Sequence, residues 1–271
     1  MRRAVLVVVA VLLAVAGAPA GRAEVGVAPR IDEEIDCLEP VPHHVDLGAT
    51  PLDGKRAAVD VLVLLDEVSL AAGVAAAKDA TRAYKAIGVD LRPRFAAVEV
   101  PADGTTTGLD GKRHGTASTT RALDVAKAAV GGRVPAGVEV VFLLTGKELY
   151  LGDDEPNTDD RSYAVAGLAD CIGGIALAHR AFAVGEHLLL EAMEPVDFAS
   201  GLPGKILAHE VGHLLGGHHH YANCVEQAPA GTLDRSADVC TLMFNDVSLI
   251  GHRFSNVNRA VVRGHAMAHA H

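Results

Sequence analysis

Apolar runs of two textures alternate through the middle of the chain. Ala58 to Leu65 is a short apolar, β-branched run that predicts a strand, and the alanine-rich stretch from Leu70 to Ile87 has the spacing of a helix. Arg94 to Val100 reads as a second strand, Thr119 to Val130 as a second helix and Val138 to Leu144 as a third strand. Strand, helix, strand, helix, strand implies an α/β fold with a mostly parallel twisted sheet covered by helices. Tyr163 to Leu168 and Ala181 to Val184 are shorter strand candidates. A helix over Lys205 to Leu215 follows, and a last helix begins near Ser255. Residues 24–55 carry several prolines and acidic residues with little periodicity, and read as an irregular N-terminal segment, a candidate pro-segment.

The first residues have a different character. Met1-Arg2-Arg3 precedes an apolar run from Ala4 to Ala16 and then the small residues Ala18-Pro19-Ala20 and Gly21-Arg22-Ala23. This is the pattern of a secretory signal peptide over residues 1–23, cut after Ala20 or Ala23, and the run is short of the roughly 17 to 25 residues that span a bilayer. The expected location is therefore secreted, extracellular, with no stable membrane insertion after cleavage. Losing Arg2, Arg3 and Arg22 leaves 21 basic residues against 34 acidic ones, a formal balance of about −13 against −10 for the whole chain. An acidic protein of this kind is a poor partner for nucleic acid or anionic membranes, both of which attract basic clusters.

Four cysteines, Cys37, Cys171, Cys224 and Cys240, suit two disulfides in an exported chain. The preferred pairing joins Cys224 to Cys240 and Cys37 to Cys171. A competing role for Cys37 is a thiolate that occupies an open metal position until the N-terminal segment is removed. The acidic loop Gly152 to Asp160 is rich enough in oxygen to hold Ca2+, but its spacing follows no calcium-loop pattern, and a solvated loop is the stronger reading. His265, His269 and His271 read as a solvated histidine-rich tail.

The densest chemistry lies at His209-Glu210-Val211-Gly212-His213-Leu214-Leu215-Gly216-Gly217-His218-His219. On a helix His209 and His213 share a face and can aim ring nitrogens at one metal ion. Glu210 beside them is placed as a general base that does not bind the metal. Gly216 can take the left-handed conformation that ends the helix and turns the chain back to deliver His219 as third ligand, leaving a fourth position open. His218 and His220 are then exposed loop histidines.

The pattern His209-Glu210-x-x-His213-x-x-Gly216-x-x-His219 resembles the metzincin zinc peptidases, which also carry a methionine in a tight turn beneath the metal. Met243, in Cys240-Thr241-Leu242-Met243-Phe244, stands in the matching order. A cysteine ahead of it and the Phe254-Ser255 pair at the head of the last helix look most like the adamalysin, or reprolysin, branch, while Asn245 stands where astacins and serralysins have tyrosine. The resemblance implies a catalytic domain over residues 56–271, with an upper lobe to about 216 and a small irregular lower lobe over 217–271. It also implies an edge strand near Tyr163 to Leu168 that pairs with an extended substrate, and a cleft shaped near Phe244 and Val247. The expected function is a secreted Zn2+-dependent endopeptidase that cleaves peptide or protein substrates with a metal-activated water and Glu210 as base. The alternative is a secreted zinc-containing binding protein without turnover.

Overall fold

Five strands lie side by side in the order β2-β1-β5-β8-β7, where β1 is Ala57–Asp66, β2 Val89–Ala97, β5 Val140–Thr145, β7 Gly167–Ala169 and β8 Phe182–Glu186. The computed structural model describes Cys37 and residues 56–107, 112–151, 165–187, 201–219, 241–243 and 253–270. The signal segment, the rest of residues 24–55, the acidic loop, Tyr163, His220, Cys224, Cys240, Phe244, Asn245, Val247 and His271 lie outside the described residues. No described helix is long and apolar enough to cross a membrane.

Strands β2, β1, β5 and β8 run parallel, and β7 closes the sheet antiparallel to β8. The expected α/β class with a mostly parallel sheet is what forms. Parallel strands need a crossover, and helix α1 (Leu70–Lys85) supplies it between β1 and β2. The central strand β5, Val140 to Thr145, is buried at every residue, because helices cover both faces of the sheet. On one face, Val59, Val61, Val63 and Leu65 pack with residues of α1 and of helix α3 (Leu202–Leu214). On the other, Leu64, Val141, Leu143, Phe182 and Val184 pack against Ala122, Leu123 and Ala126 of helix α2 (Thr119–Ala129).

Each of three helices starts on a serine whose hydroxyl accepts an amide three residues on, meeting one of the orphan donors of a helix N-terminus: Ser69 from Ala72, Ser118 from Arg121 and Ser255 from Asn258. The last of these opens helix α4 (Asn256–His269). Helix α3 starts instead on Gly201, at φ 87°, with Pro203 in its first turn. Its crossing with α1 is close, since a Cβ on Gly204 would lie 2.6 Å from Asp79 Cβ and 2.7 Å from the Ala76 carbonyl. Lower on the same crossing the buried Tyr84 hydroxyl donates to the Ala208 carbonyl at 2.8 Å. The alanine face of α1 and this single glycine bring the α3 helix down onto the sheet.

Three differences from the sequence reading have physical causes. Strand β2 starts at Val89, five residues before the expected Arg94, and takes in Arg92 and Pro93. It is an edge strand, where a proline without an amide proton and charged side chains are tolerated. A second sheet, β3-β4-β6, was not expected at all: β3 is Gly104–Thr107, β4 Arg113–Ser118 and β6 Glu148–Tyr150. The first two are small and polar and lack the apolar alternation by which strands are read, and β6 is only three residues long. Polar anchors set them on the main sheet, with Lys147 reaching Asp66 at 2.9 Å and Glu67 at 2.7 Å. Lastly, His265 and His269 both lie within α4, and of the two only His265 departs from the expected solvated tail, since His269 is exposed. The ring of His265 packs over Gly216, where a Cβ would lie 2.7 Å from its Nε2.

Burial of His265, helped by the nearby His269 and His218, holds its pKa below that of an exposed histidine. The unfolded chain takes up this proton near pH 6.5, while the folded chain does so only at lower pH. In that window the unfolded state binds more protons, so stability falls as pH drops below about 6.5. Urea midpoints measured from pH 7.5 downward are expected to fall less steeply for His265→Gln than for the parent.

Candidate metal centre and catalytic carboxylate

Helix α3 presents His209 and His213 one turn apart, with their rings edge to face at 4.7 Å between centroids. Its C-terminus is a Schellman turn: Gly216 takes φ 84°, its amide donates to the His213 carbonyl at 2.8 Å, and the Gly217 amide donates to the Gly212 carbonyl at 2.8 Å. The reversal brings His219 back to the same spot. The three Nε2 atoms lie 3.0 Å apart for His209 and His219, and 3.1 Å apart for each of the other two pairs. Among the described residues no other group of three histidine, cysteine or carboxylate side chains brings ligand atoms together in this way.

The second nitrogen of two rings reveals their protonation. His209 Nδ1 lies 2.7 Å from the Leu242 carbonyl, and His213 Nδ1 lies 2.7 Å from the Gly217 carbonyl. A carbonyl can only accept, so both Nδ1 atoms carry the proton, and in the neutral rings both Nε2 atoms point lone pairs at a common centre. Lone pairs converging at this distance repel one another unless a cation lies between them. Nitrogen donors around tetrahedral zinc stand about 3.3 Å apart for Zn–N bonds of about 2.0–2.1 Å, and the observed triangle is close to that size. The donor set therefore fits Zn2+, with His209, His213 and His219 as its holders and carbonyls orienting two of the rings behind them.

Glu210 is 6% exposed and faces β7. A Cβ on Gly167 would come within 2.7 Å of its Oε1, so the strand can lie this close only because residue 167 has no side chain. The carboxylate also accepts a hydrogen bond from the Ala169 amide. Burial pushes its pKa up to about 8, and the Ala169 bond opposes that rise. Asp170 and Glu186 amides bond across the β7–β8 pair to Phe182 and Ala166, so the backbone groups of Gly167 and Ala169 face away from β8. An edge strand thus lies against Glu210 over Gly167–Ala169, overlapping the expected Tyr163–Leu168 at Gly167 and Leu168.

Met243 is fully buried under α3, and a Cβ on Gly212 would lie 2.7 Å from its Sδ. Its neighbour Leu242 supplies the carbonyl that orients His209 and itself donates an amide to the Arg253 carbonyl at 2.7 Å. Gly212→Ala is expected to cost about 1–3 kcal/mol in a urea melt, because the thioether must leave a packed position.

Cys37 is joined to Cys171, with Cα atoms 5.3 Å apart, and its amide donates to the Ile172 carbonyl. It is not a thiolate at the histidine triad. Two residues beyond Cys171, the Gly173 amide caps the His213 carbonyl at 2.9 Å. The sequence reading missed the Leu242 carbonyl, Gly212, Gly167 and the Ala169 amide. Only the two glycines had any signal, as residues without a Cβ inside a helix and at a strand.

No family model matches the chain, and no curated protein matches it. Two solved structures are similar in outline. An archaemetzincin from Methanopyrus kandleri aligns at TM-score 0.44 and 16% identity over 80% of this chain and 98% of its own. A zinc-dependent peptidase from Methanocorpusculum labreanum strain Z aligns at TM-score 0.46 and 15% identity over 74% of this chain and 99% of its own. Likeness at this level is loose, and the geometry of the triad and Glu210 stands by itself.

Proposed function

We propose that this chain is a secreted zinc-dependent endopeptidase of the metzincin kind. The observation that carries the reading is the convergence of three Nε2 atoms, two with Nδ1 tied to carbonyls, beside a buried carboxylate on the same helix. The finer placement in the adamalysin branch rests on the sequence around Met243 and at Phe254-Ser255, and His220 departs from the aspartate usual there.

Zn2+ held by His209, His213 and His219 supplies Lewis-acid chemistry: it polarises a carbonyl and lowers the pKa of water. Glu210 has the complementary task. One carboxylate oxygen accepts a proton from the attacking water and gives it to the leaving amine nitrogen; burial raises the pKa of this carboxylate, and a bound cation nearby would favour the ionised form that the first transfer needs. The Ala169 amide holds that carboxylate in place while it works. Of the β7 backbone facing away from β8, the Gly167 amide and the Gly167 and Ala169 carbonyls would be offered to an extended peptide, the Ala169 amide being taken by Glu210, so main-chain recognition would be general and side-chain preference would come from elsewhere in the cleft.

The test is to measure zinc in the purified secreted chain and to map new N-termini after incubation with a mixed peptide library, with and without a chelator. One zinc per chain and chelator-sensitive internal cuts are expected. Zinc at that ratio with no cuts would instead support the non-catalytic binding protein, and a chain that takes up no zinc would sink the metal site.

A further inference from the structure

The third imidazole hangs from a stretch, Gly216-Gly217-His218, whose two glycines are held by the turn at the end of α3 while His218 lies beyond those bonds. Helix α4 lies along this stretch. Asn258, Val262 and His265 stand at i, i+4 and i+7 on α4 and so share one face. They meet three consecutive residues of the return in reverse order. His265 covers Gly216, Val262 Cγ2 comes within 3.2 Å of where a Gly217 Cβ would lie, and Asn258 takes His218.

The Asn258 contact differs in kind from the other two. Its Oδ1 accepts the His218 amide at 3.2 Å and its Nδ2 donates to the His218 carbonyl at 3.0 Å, so one planar side chain pairs with both backbone polar groups of one residue. Asn258 is itself 5% exposed, and its own amide is held by the Ser255 hydroxyl at 3.1 Å. A side chain this buried and tied at both ends does not wander. It fixes the backbone one residue before a ligand whose Nε2 must fall within a few tenths of an ångström of two others. Aspartate could accept the amide but would turn a second oxygen toward the carbonyl, and alanine would leave both backbone groups without this partner.

We propose that Asn258 is a positioning residue for the metal: it acts through the His218 backbone to place the His219 imidazole. The proposal rests on the reading of His209, His213 and His219 as a zinc site. With the clamp in place, the entropy of ordering the return is lost on folding and not on binding zinc, so affinity is higher than the ligands alone would give.

The experiment uses the full chain with Asn258→Ala and Asn258→Asp, each also in a His219→Ala background. Zinc affinity is read by competition with a chromophoric chelator, and amide hydrogen exchange of residues 216–219 is read on the metal-free chain. Asn258→Ala is expected to weaken zinc binding about tenfold, the order seen when the surroundings that orient a metal ligand are lost. It should also speed exchange of the His218 amide, and have no further effect on affinity once His219 is alanine. Asn258→Asp, which keeps the acceptor, should lie between, and carries the test if the alanine variant does not fold. Wild-type affinity in the Asn258 variants, or an equal loss in the His219→Ala background, would overturn the proposal while leaving the zinc site standing. A wild-type chain that takes up no zinc would remove both.

Discussion

Glu210→Gln is expected to bind one zinc with the affinity of the wild type and to lose peptide cleavage by about 10²- to 10⁴-fold, the usual worth of a positioned general base. Glutamine keeps the size of the side chain and can still accept the Ala169 amide, so the variant isolates the proton transfer from the packing against Gly167. Stability should not fall. The ionised carboxylate is disfavoured by burial in the metal-free chain, and the neutral amide does not pay that desolvation. New N-termini produced from a mixed peptide library by the wild type and absent from the Glu210→Gln reaction would identify the cuts that depend on this group. Equal cutting by both, at equal zinc content, would remove Glu210 from the mechanism.

His213→Ala has the largest expected effect on metal content. Its Nε2 is one corner of the triangle, and its Nδ1 is tied to the Gly217 carbonyl, so the substitution removes a ligand and also one brace, beyond the backbone bonds, on the turn that returns His219. A structural zinc site is worth on the order of 10–16 kcal/mol over its ligands, so one ligand accounts for roughly 3 kcal/mol, or about a hundredfold in affinity. The loss should be larger than for His219→Ala, which leaves the His213–Gly217 side-chain bond intact. Zinc stoichiometry after dialysis against a weak chelator measures this. A His213→Ala chain that keeps its zinc would show that the ligands are assigned wrongly. The melting temperature of the wild type should also rise with added zinc and that of His213→Ala should not, since only a folded site gains from the metal.

Helix α2 begins at Thr119, where the sequence pattern puts it, and α1 begins at Leu70. Both are announced locally, by a serine cap and apolar positions at helical spacing. The turn at Gly216 is equally local, because the need for a positive φ follows from glycine being the residue that adopts it without strain. Strand β2 and the second sheet were misplaced or missed for the opposite reason. A polar strand such as Arg113–Ser118 is stabilised by pairing with the neighbouring Gly104–Thr107, by the distant Glu148–Tyr150 and by the buried Lys147–Asp66 pair. None of these shows in its own pattern of residues. His265 was misplaced in a solvated tail because a tail and a helix end have the same composition, and only its packing on Gly216 separates them.

The sequence by itself determined the alternation of strands and helices, the spacing that places His209 and His213 on one face, the neighbouring Glu210 and the glycine that returns His219. The alternation follows from hydrophobic periodicity along the chain, and the rest from the geometry of a single helix and its C-terminal turn, which about a dozen consecutive residues contain. Only the tertiary structure decided which carbonyls orient the rings, that Gly212 admits Met243, that Gly167 and the Ala169 amide hold Glu210 at the edge of the sheet, and that Asn258 grips His218. Apart from the His213–Gly217 bond, these contacts join residues far apart in the chain, and they mostly use backbone atoms, which every residue type carries. Their positions exist only once the chain has packed.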